Sequence, residues 1–238
     1  MLSPLIPMTP AMYSWPWHRI TAFADVGITV PAMLVLCGWL LAARSWRGAL
    51  YWLACFWGGL GLVVISKIAF MGWGLGVFAW DFTGYSGHAM RAAALAPVAL
   101  YLLPWHWLGR WSQAGRILGV LLGLSLGLLI AHSRIIVGAH SYSESLLGLL
   151  LGSACGLLVV AWLARQTPAV RVPPWLIALS FCALFFVPQH GAAPTQSWLY
   201  GVAMQLSGKD RPFLRECWCF PEEAWITPQD PDGWRKRR

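Results

Sequence analysis

The chain has 238 residues, 58% hydrophobic and only 11% charged, a composition that excludes an ordinary soluble domain and describes an integral membrane protein. Its net charge of +8 does not indicate nucleic acid as a partner, because the arginines stand singly or in pairs between apolar segments and form no basic stripe. Of the nine carboxylates only Asp25, Asp81 and Glu144 precede residue 190, so residues 1–188 read as a membrane domain and 189–238 as a polar tail.

The start, M-L-S-P-L-I-P-M-T-P, lacks the basic region and apolar core of a cleavable signal peptide. W-P-W-H-R at 15–19 then has the tryptophans and cation of an interfacial anchor. Apolar segments follow at about 27–43, 49–66, 89–105, 115–132, 145–164 and 174–188, several at or just under the ~20 residues a bilayer needs. They predict an all-α integral membrane fold, a six-span transmembrane helix bundle. Pro31 and Pro97 fall inside spans, where neighbouring helices can satisfy the freed carbonyls.

Arg44 and Arg47, Arg110 and Arg116, and Arg165 and Arg171 mark three connections on one face, which the positive-inside rule makes cytoplasmic. The connections around 67–88 and 134–144, and with six spans the tail, then share the opposite face. Cys37, Cys55, Cys155 and Cys182 sit in apolar runs as small hydrophobes, and the C-W-C spacing of Cys217 and Cys219 suits neither a relaxed disulfide nor a zinc knuckle. Gly148, Gly152 and Gly156 read as a helix-packing stripe. In the tail, Trp198, Leu199, Val202, Ala203 and Leu206 recur at helical spacing behind a Thr195 cap, which predicts a short amphipathic helix on the membrane or over the site.

Three blocks carry chemistry: Ser66-Lys67; Tyr85-Ser86-Gly87-His88; and Ser133-Arg134, five residues, His140, three residues, Glu144. Cations, imidazoles and a carboxylate held at a membrane boundary are costly, and their gathering on one face points to an anionic substrate. The second and third blocks resemble the signature of the type-2 phosphatidic acid phosphatase superfamily, P-S-G-H followed by S-R-x5-H-x3-D, in its integral-membrane lipid phosphatase branch. The resemblance covers roughly residues 60–165. It implies that His140 is the nucleophile forming a phosphohistidine, His88 the acid for the leaving group and Glu144 the partner that orients His140, with no metal or other cofactor.

Elementary chemistry agrees with those roles. Phosphate ester cleavage needs cations and N–H donors around the phosphoryl oxygens, an in-line nucleophile and an acid for the leaving alkoxide. Lys67 and Arg134 supply charge, and Ser133 accompanies Arg134. Ser86 and the Gly87 amide lie where a helix begins, a place that favours anions. His140 can attack phosphorus if its other ring nitrogen donates to Glu144, one helical turn away. His106 and His132 read instead as satisfied core histidines.

Three departures from the signature matter. Tyr85 stands for proline, Glu144 for aspartate, and the first family motif, K-x6-R-P, lacks its Arg-Pro half after Lys67. Arg91, one turn beyond His88, and Arg211, in the tail sequence K-D-R-P, are the candidates to replace that arginine.

The expected function is removal of phosphate from a lipid phosphate ester or diphosphate at the non-cytoplasmic surface of a membrane, with phosphatidic acid, phosphatidylglycerol phosphate, undecaprenyl diphosphate and a lipid A phosphate as the alternative substrates. A bacterial inner membrane with a periplasmic site is the expected setting. A phosphotransferase using the same residues and a non-catalytic lipid-phosphate scaffold are the rival readings, and the oligomeric state stays open.

Overall fold

A computed structural model describes residues 10–103, 105–167, 169–185, 195–216 and 218. The opening residues 1–9, Cys217, Cys219 and the basic end of the tail lie outside the described residues, as does the His106 side chain. The described chain is helical, with a single isolated β-bridge between Val77 and Phe82.

Helix α1 covers Pro10–Ala22 and α2 covers Val26–Ala42. The turn between them ends at Asp25, whose side chain accepts from the Gly27 amide at 2.9 Å and caps α2. Helix α3 covers Trp46–Trp73, α4 Gly87–Tyr101, α5 Ser112–Ile136, α6 Tyr142–Ala164, α7 Pro174–Phe185 and α8 Thr195–Ser207. Among the described residues four stretches are long and apolar enough to cross a membrane: Pro16–Ala42, which contains the α1–α2 turn, and α3, α5 and α6.

The six-span expectation is therefore met by four stretches of sufficient length. At 15 and 12 residues, α4 and α7 rise about 22 and 18 Å, short of a hydrocarbon core of about 30 Å. Hydropathy overran α4 because Leu102 and Leu103 continue its apolar composition past the last helical residue, Tyr101.

The chain groups into two compact units. The first comprises Met1–Leu60 and Ser86–Ala193, the second Gly61–Tyr85 and Pro194–Arg238.

At the centre of the first unit, α4 is Ala-rich and buried along most of its length. Its slenderness is matched by glycines on both neighbours. A Cβ at Gly123 of α5 would lie 2.4 Å from the Pro97 nitrogen, and one at Gly127 would lie 2.9 Å from the Ala93 Cα. On α6, added Cβ atoms at Gly148, Gly152 and Gly156 would lie 2.6, 2.1 and 2.8 Å from the carbonyl oxygens of Ser86, Met90 and Ala94. Both stripes repeat every four residues, the spacing that lets helix backbones approach closely. We predict that Gly152→Val destabilises the protein by at least about 1–3 kcal/mol, read as a lower Tm in detergent, because a carbonyl of α4 must move. Gly58→Ala, where an added Cβ meets nothing within 4 Å, should leave Tm nearly unchanged.

In the second unit, Phe70, Met71 and Ala203 form a small core joined by Leu199, Met204, Phe213 and Trp218. Helix α8 turns Ala203 inward and leaves Trp198, Val202 and Leu206 exposed. His132, expected in a core, is instead exposed on α5, with its ring edge-on to Trp17 at 5.4 Å. Its register places it on the outer side of the helix, while Ala131 and Ser133 on either side are buried.

Candidate active site

The spacing S-R-x5-H has a local structural cause. Ser133 and Arg134 occupy the end of α5, and Gly138 adopts a left-handed conformation with φ of 70° just beyond it. The Ala139 amide donates to the Arg134 carbonyl and the Gly138 amide to the Ile135 carbonyl, both at 3.0 Å, the paired bonds of a Schellman termination. The five residues between Arg134 and His140 are therefore the length of this helix stop. The His140 amide also donates to the Arg134 carbonyl, at 3.3 Å, which ties the two residues together through the backbone.

Ser141 then caps α6. Its hydroxyl accepts from the Glu144 amide at 3.3 Å, and the Glu144 carboxylate accepts from the Ser141 amide at 3.2 Å, a reciprocal capping box. The same carboxylate oxygen, Oε2, lies 2.7 Å from His140 Nδ1. Glu144 is 1% exposed and His140 11%, so the pair is largely withdrawn from water. Glutamate in place of aspartate is accommodated by this geometry, since the longer side chain folds back to serve both the cap and the ring. A carboxylate at Nδ1 favours the tautomer with the proton on Nδ1 and the lone pair on Nε2.

The second block is tied to the third through the backbone. The Ser86 amide donates to the Glu144 carbonyl at 3.0 Å, and the absence of a side chain at Gly148 lets Ser86 approach α6. Ser86 caps α4 without a side-chain bond to the helix, and its fully buried hydroxyl has no hydrogen-bond partner among the described residues. A buried, unsatisfied hydroxyl at a helix start is a group suited to an incoming acceptor. Gly87 begins α4, and first-turn amides have no acceptor within their own helix. Ser133 differs from Ser86: it is buried, and its hydroxyl donates to the Ile130 carbonyl at 2.6 Å.

The cations are braced by the α1–α2 turn. Arg134 donates from one terminal nitrogen to the Thr21 hydroxyl at 3.1 Å, while its buried Nε has no partner among the described residues. Arg91, 5% exposed, donates to the Ala24 carbonyl at 2.9 Å, and its Nε is likewise unpartnered. Asp25 is an electrostatic neighbour of both arginines and holds Oδ2 3.9 Å from His88 Nε2.

Asp25 and Thr21 stand outside the three sequence blocks. The available signal was an isolated aspartate immediately before an apolar run, the position of a helix cap.

Lys67 and Arg211 belong to the second unit. Lys67 lies within α3, near its end, and Gly84 packs against it: a Cβ there would sit 3.0 Å from the lysine Cγ. The Tyr85 amide donates to the Ser66 hydroxyl at 3.2 Å. Counting K-x6-R-P from Lys67 places the family arginine at position 74. Here Gly74 occupies it, with φ of 70°, at the end of α3. The tail meets this same point. The Phe213 amide donates to the Met71 carbonyl at 2.8 Å, and its ring would lie 3.0 Å from a Cβ on Gly74. The Arg211-Pro212 pair thus immediately precedes the residue seated on the vacant motif position, with Arg211 itself exposed.

Among the described residues no group of three or more His, Cys, Asp or Glu side chains is arranged to hold a metal ion. The PAP2 superfamily profile matches residues 26–168. An uncharacterized 22.5 kDa protein in the cps region of Klebsiella pneumoniae is 35% identical over 205 residues, which cover 84% of this chain and 95% of that protein. No solved structure matches. With a profile match spanning all of the second and third blocks and a relative similar over nearly its whole length, this chain belongs to the PAP2 superfamily, a family composed generally of phosphatases.

Proposed function

We propose that the protein is a membrane-embedded lipid phosphatase that cleaves a phosphomonoester or diphosphate through a phosphohistidine at His140. The observation that carries this reading is the buried His140–Glu144 pair at 2.7 Å, adjoining Arg134 in the backbone. Arg134, the Ser86 hydroxyl and the Gly87 amide receive the phosphoryl oxygens, and Lys67 joins them by its place in the family motif. His140 Nε2 attacks the terminal phosphorus as the bond to the leaving oxygen breaks, the lipid alkoxide oxygen of a monoester or the bridging oxygen of a diphosphate, and His88 gives that oxygen its proton. Water then attacks the phosphohistidine, returning its proton to His88 and releasing inorganic phosphate. Glu144 stays ionised and holds the Nδ1 proton throughout.

The same proposal places α4 and α7 within the bilayer alongside the longer helices, completing six spans in a bacterial inner membrane with the site on its periplasmic side. The exposed Trp198, Val202 and Leu206 of α8 then rest at the headgroup level. Arg211 supplies the missing arginine of the first motif, supported by the seating of Phe213 at Gly74. We predict that Arg211→Ala lowers kcat/KM roughly 100-fold, the scale of removing one donor from a developing oxyanion, while Tm is preserved. Unaltered kinetics would remove Arg211 from the site.

The test of the function is phosphate release by detergent-purified protein from phosphatidic acid, phosphatidylglycerol phosphate, undecaprenyl diphosphate and a lipid A phosphate, with chelator present and His140→Ala as control. Release that is lost in the variant supports hydrolysis and ranks the substrates. Binding without release from any of the four contradicts it, and transfer of label to an added lipid or sugar acceptor identifies a phosphotransferase.

A further inference from the structure

We propose that Asp25 is a positioning residue for the general acid, its carboxylate holding the proton on His88. This inference rests on the phosphatase reading and adds to it a residue outside all three sequence blocks. Asp25 has two oxygens with separate tasks. Oδ1 caps α2 by accepting from the Gly27 amide at 2.9 Å, a task that serine, threonine or asparagine performs as well. Oδ2 lies 3.9 Å from His88 Nε2, within ion-pair range but too long for a direct hydrogen bond. A full negative charge is therefore present where a neutral cap would suffice, and it faces the imidazole assigned to leaving-group protonation.

The neighbouring charges make this useful. Arg91 and Arg134 are both electrostatic neighbours of Asp25, and Arg91 follows His88 by one turn of α4, a spacing at which a guanidinium disfavours a positive charge on the imidazole. The Asp25 carboxylate opposes that repulsion. Its own position is fixed by the turn, since the adjacent Ala24 carbonyl accepts from Arg91 and Thr21 bonds Arg134. The turn thus hydrogen-bonds both arginines through neutral oxygens, and the Asp25 carboxylate, which acts electrostatically on both arginines, also faces His88.

In the first half-reaction an N–H of the His88 imidazolium passes its proton to the lipid oxygen as the P–O bond breaks and the P–N bond to His140 forms. His88 is left neutral. In the second, the attacking water gives a proton back to His88 as the P–N bond breaks. Asp25 remains a carboxylate in both steps and forms no covalent bond.

Asp25→Asn separates the two tasks, because asparagine caps a helix about as well as aspartate. The measurement is kcat/KM of the full-length protein in detergent for a dialkyl lipid phosphate, whose leaving alkoxide needs a proton, and for p-nitrophenyl phosphate, whose leaving group does not. The expected loss is at least roughly tenfold greater for the alkyl ester, within the range of general acid catalysis, with Tm little changed. Asp25→Ser, also a good cap, should show the same imbalance and guards against a misplaced asparagine. Adding Asp25→Asn to His88→Ala should then cost less than about twofold further, since coupled residues are not additive. Equal losses on both substrates, no loss on either, or a full independent loss in the His88→Ala background would overturn the role of Asp25. Failure of the unsubstituted protein to release phosphate from any substrate would instead overturn the phosphatase reading on which it rests.

Discussion

His140→Ala should reduce turnover of a lipid phosphate by roughly 10,000-fold or more, the scale seen when an enzymatic nucleophile is removed. The loss falls on kcat rather than on binding, because Arg134, the Ser86 hydroxyl and the start of α4 remain. His140 lies in the turn between α5 and α6, outside the glycine stripes, and is followed by the Ser141 cap. The variant should therefore fold, with Tm within a few degrees of the parent, and still bind substrate. The check is a paired measurement of turnover and of substrate affinity by equilibrium binding. Near-normal turnover would remove His140 from the reaction.

Glu144→Gln should be almost as damaging, lowering kcat by roughly 1,000- to 10,000-fold. Gln has the same shape but can present an N–H to Nδ1, favouring the tautomer with the proton on Nε2, where no lone pair is left to attack phosphorus. It also cannot stabilise the positive ring that develops as the P–N bond forms. Glu144 is buried and serves the α6 capping box, so the replacement adds a stability cost of about 1 kcal/mol if one capping bond weakens. Kinetics and Tm measured together separate the effects: a loss of this size in kcat with a shift of only a few degrees assigns Glu144 to His140. A Tm collapse with normal activity per folded molecule would assign it to the cap alone.

Much of the local geometry around Arg134, His140 and Glu144 is legible in the sequence. The spacing from Arg134 to His140 is short enough to be set by one helix stop, and the spacing from His140 to Glu144 by one helical turn, so local sequence carried both. Gly148, Gly152 and Gly156 were legible as packing for the same reason, since a period of four is a property of one helix. The matching stripe on α5, from Gly115 to Gly127, has the same period but was obscured by the many leucines around it.

What hydropathy missed were the ends. It stopped the second apolar segment at 66, whereas α3 runs to Trp73 and is ended by the backbone of Gly74, so Lys67 lies within a helix rather than at its exit. It also stopped the fourth segment at 132, although Arg134 is still helical before the turn at Gly138. Charged side chains end an apolar average, but only backbone geometry ends a helix. Asp25 and Thr21 were missed because their partners are 63 to 113 positions away, as with Arg134 and Thr21, and no local pattern encodes such a meeting.

The phosphoenzyme itself offers the most direct test. Protein mixed with phosphorus-32-labelled lipid phosphate would be quenched in alkaline denaturant on the millisecond scale, then digested and mapped. An alkali-stable, acid-labile label is expected on the peptide containing His140, formed before phosphate is released and absent from His140→Ala. Turnover without labelled protein at any resolved time, together with equal turnover by His140→Ala, would contradict it.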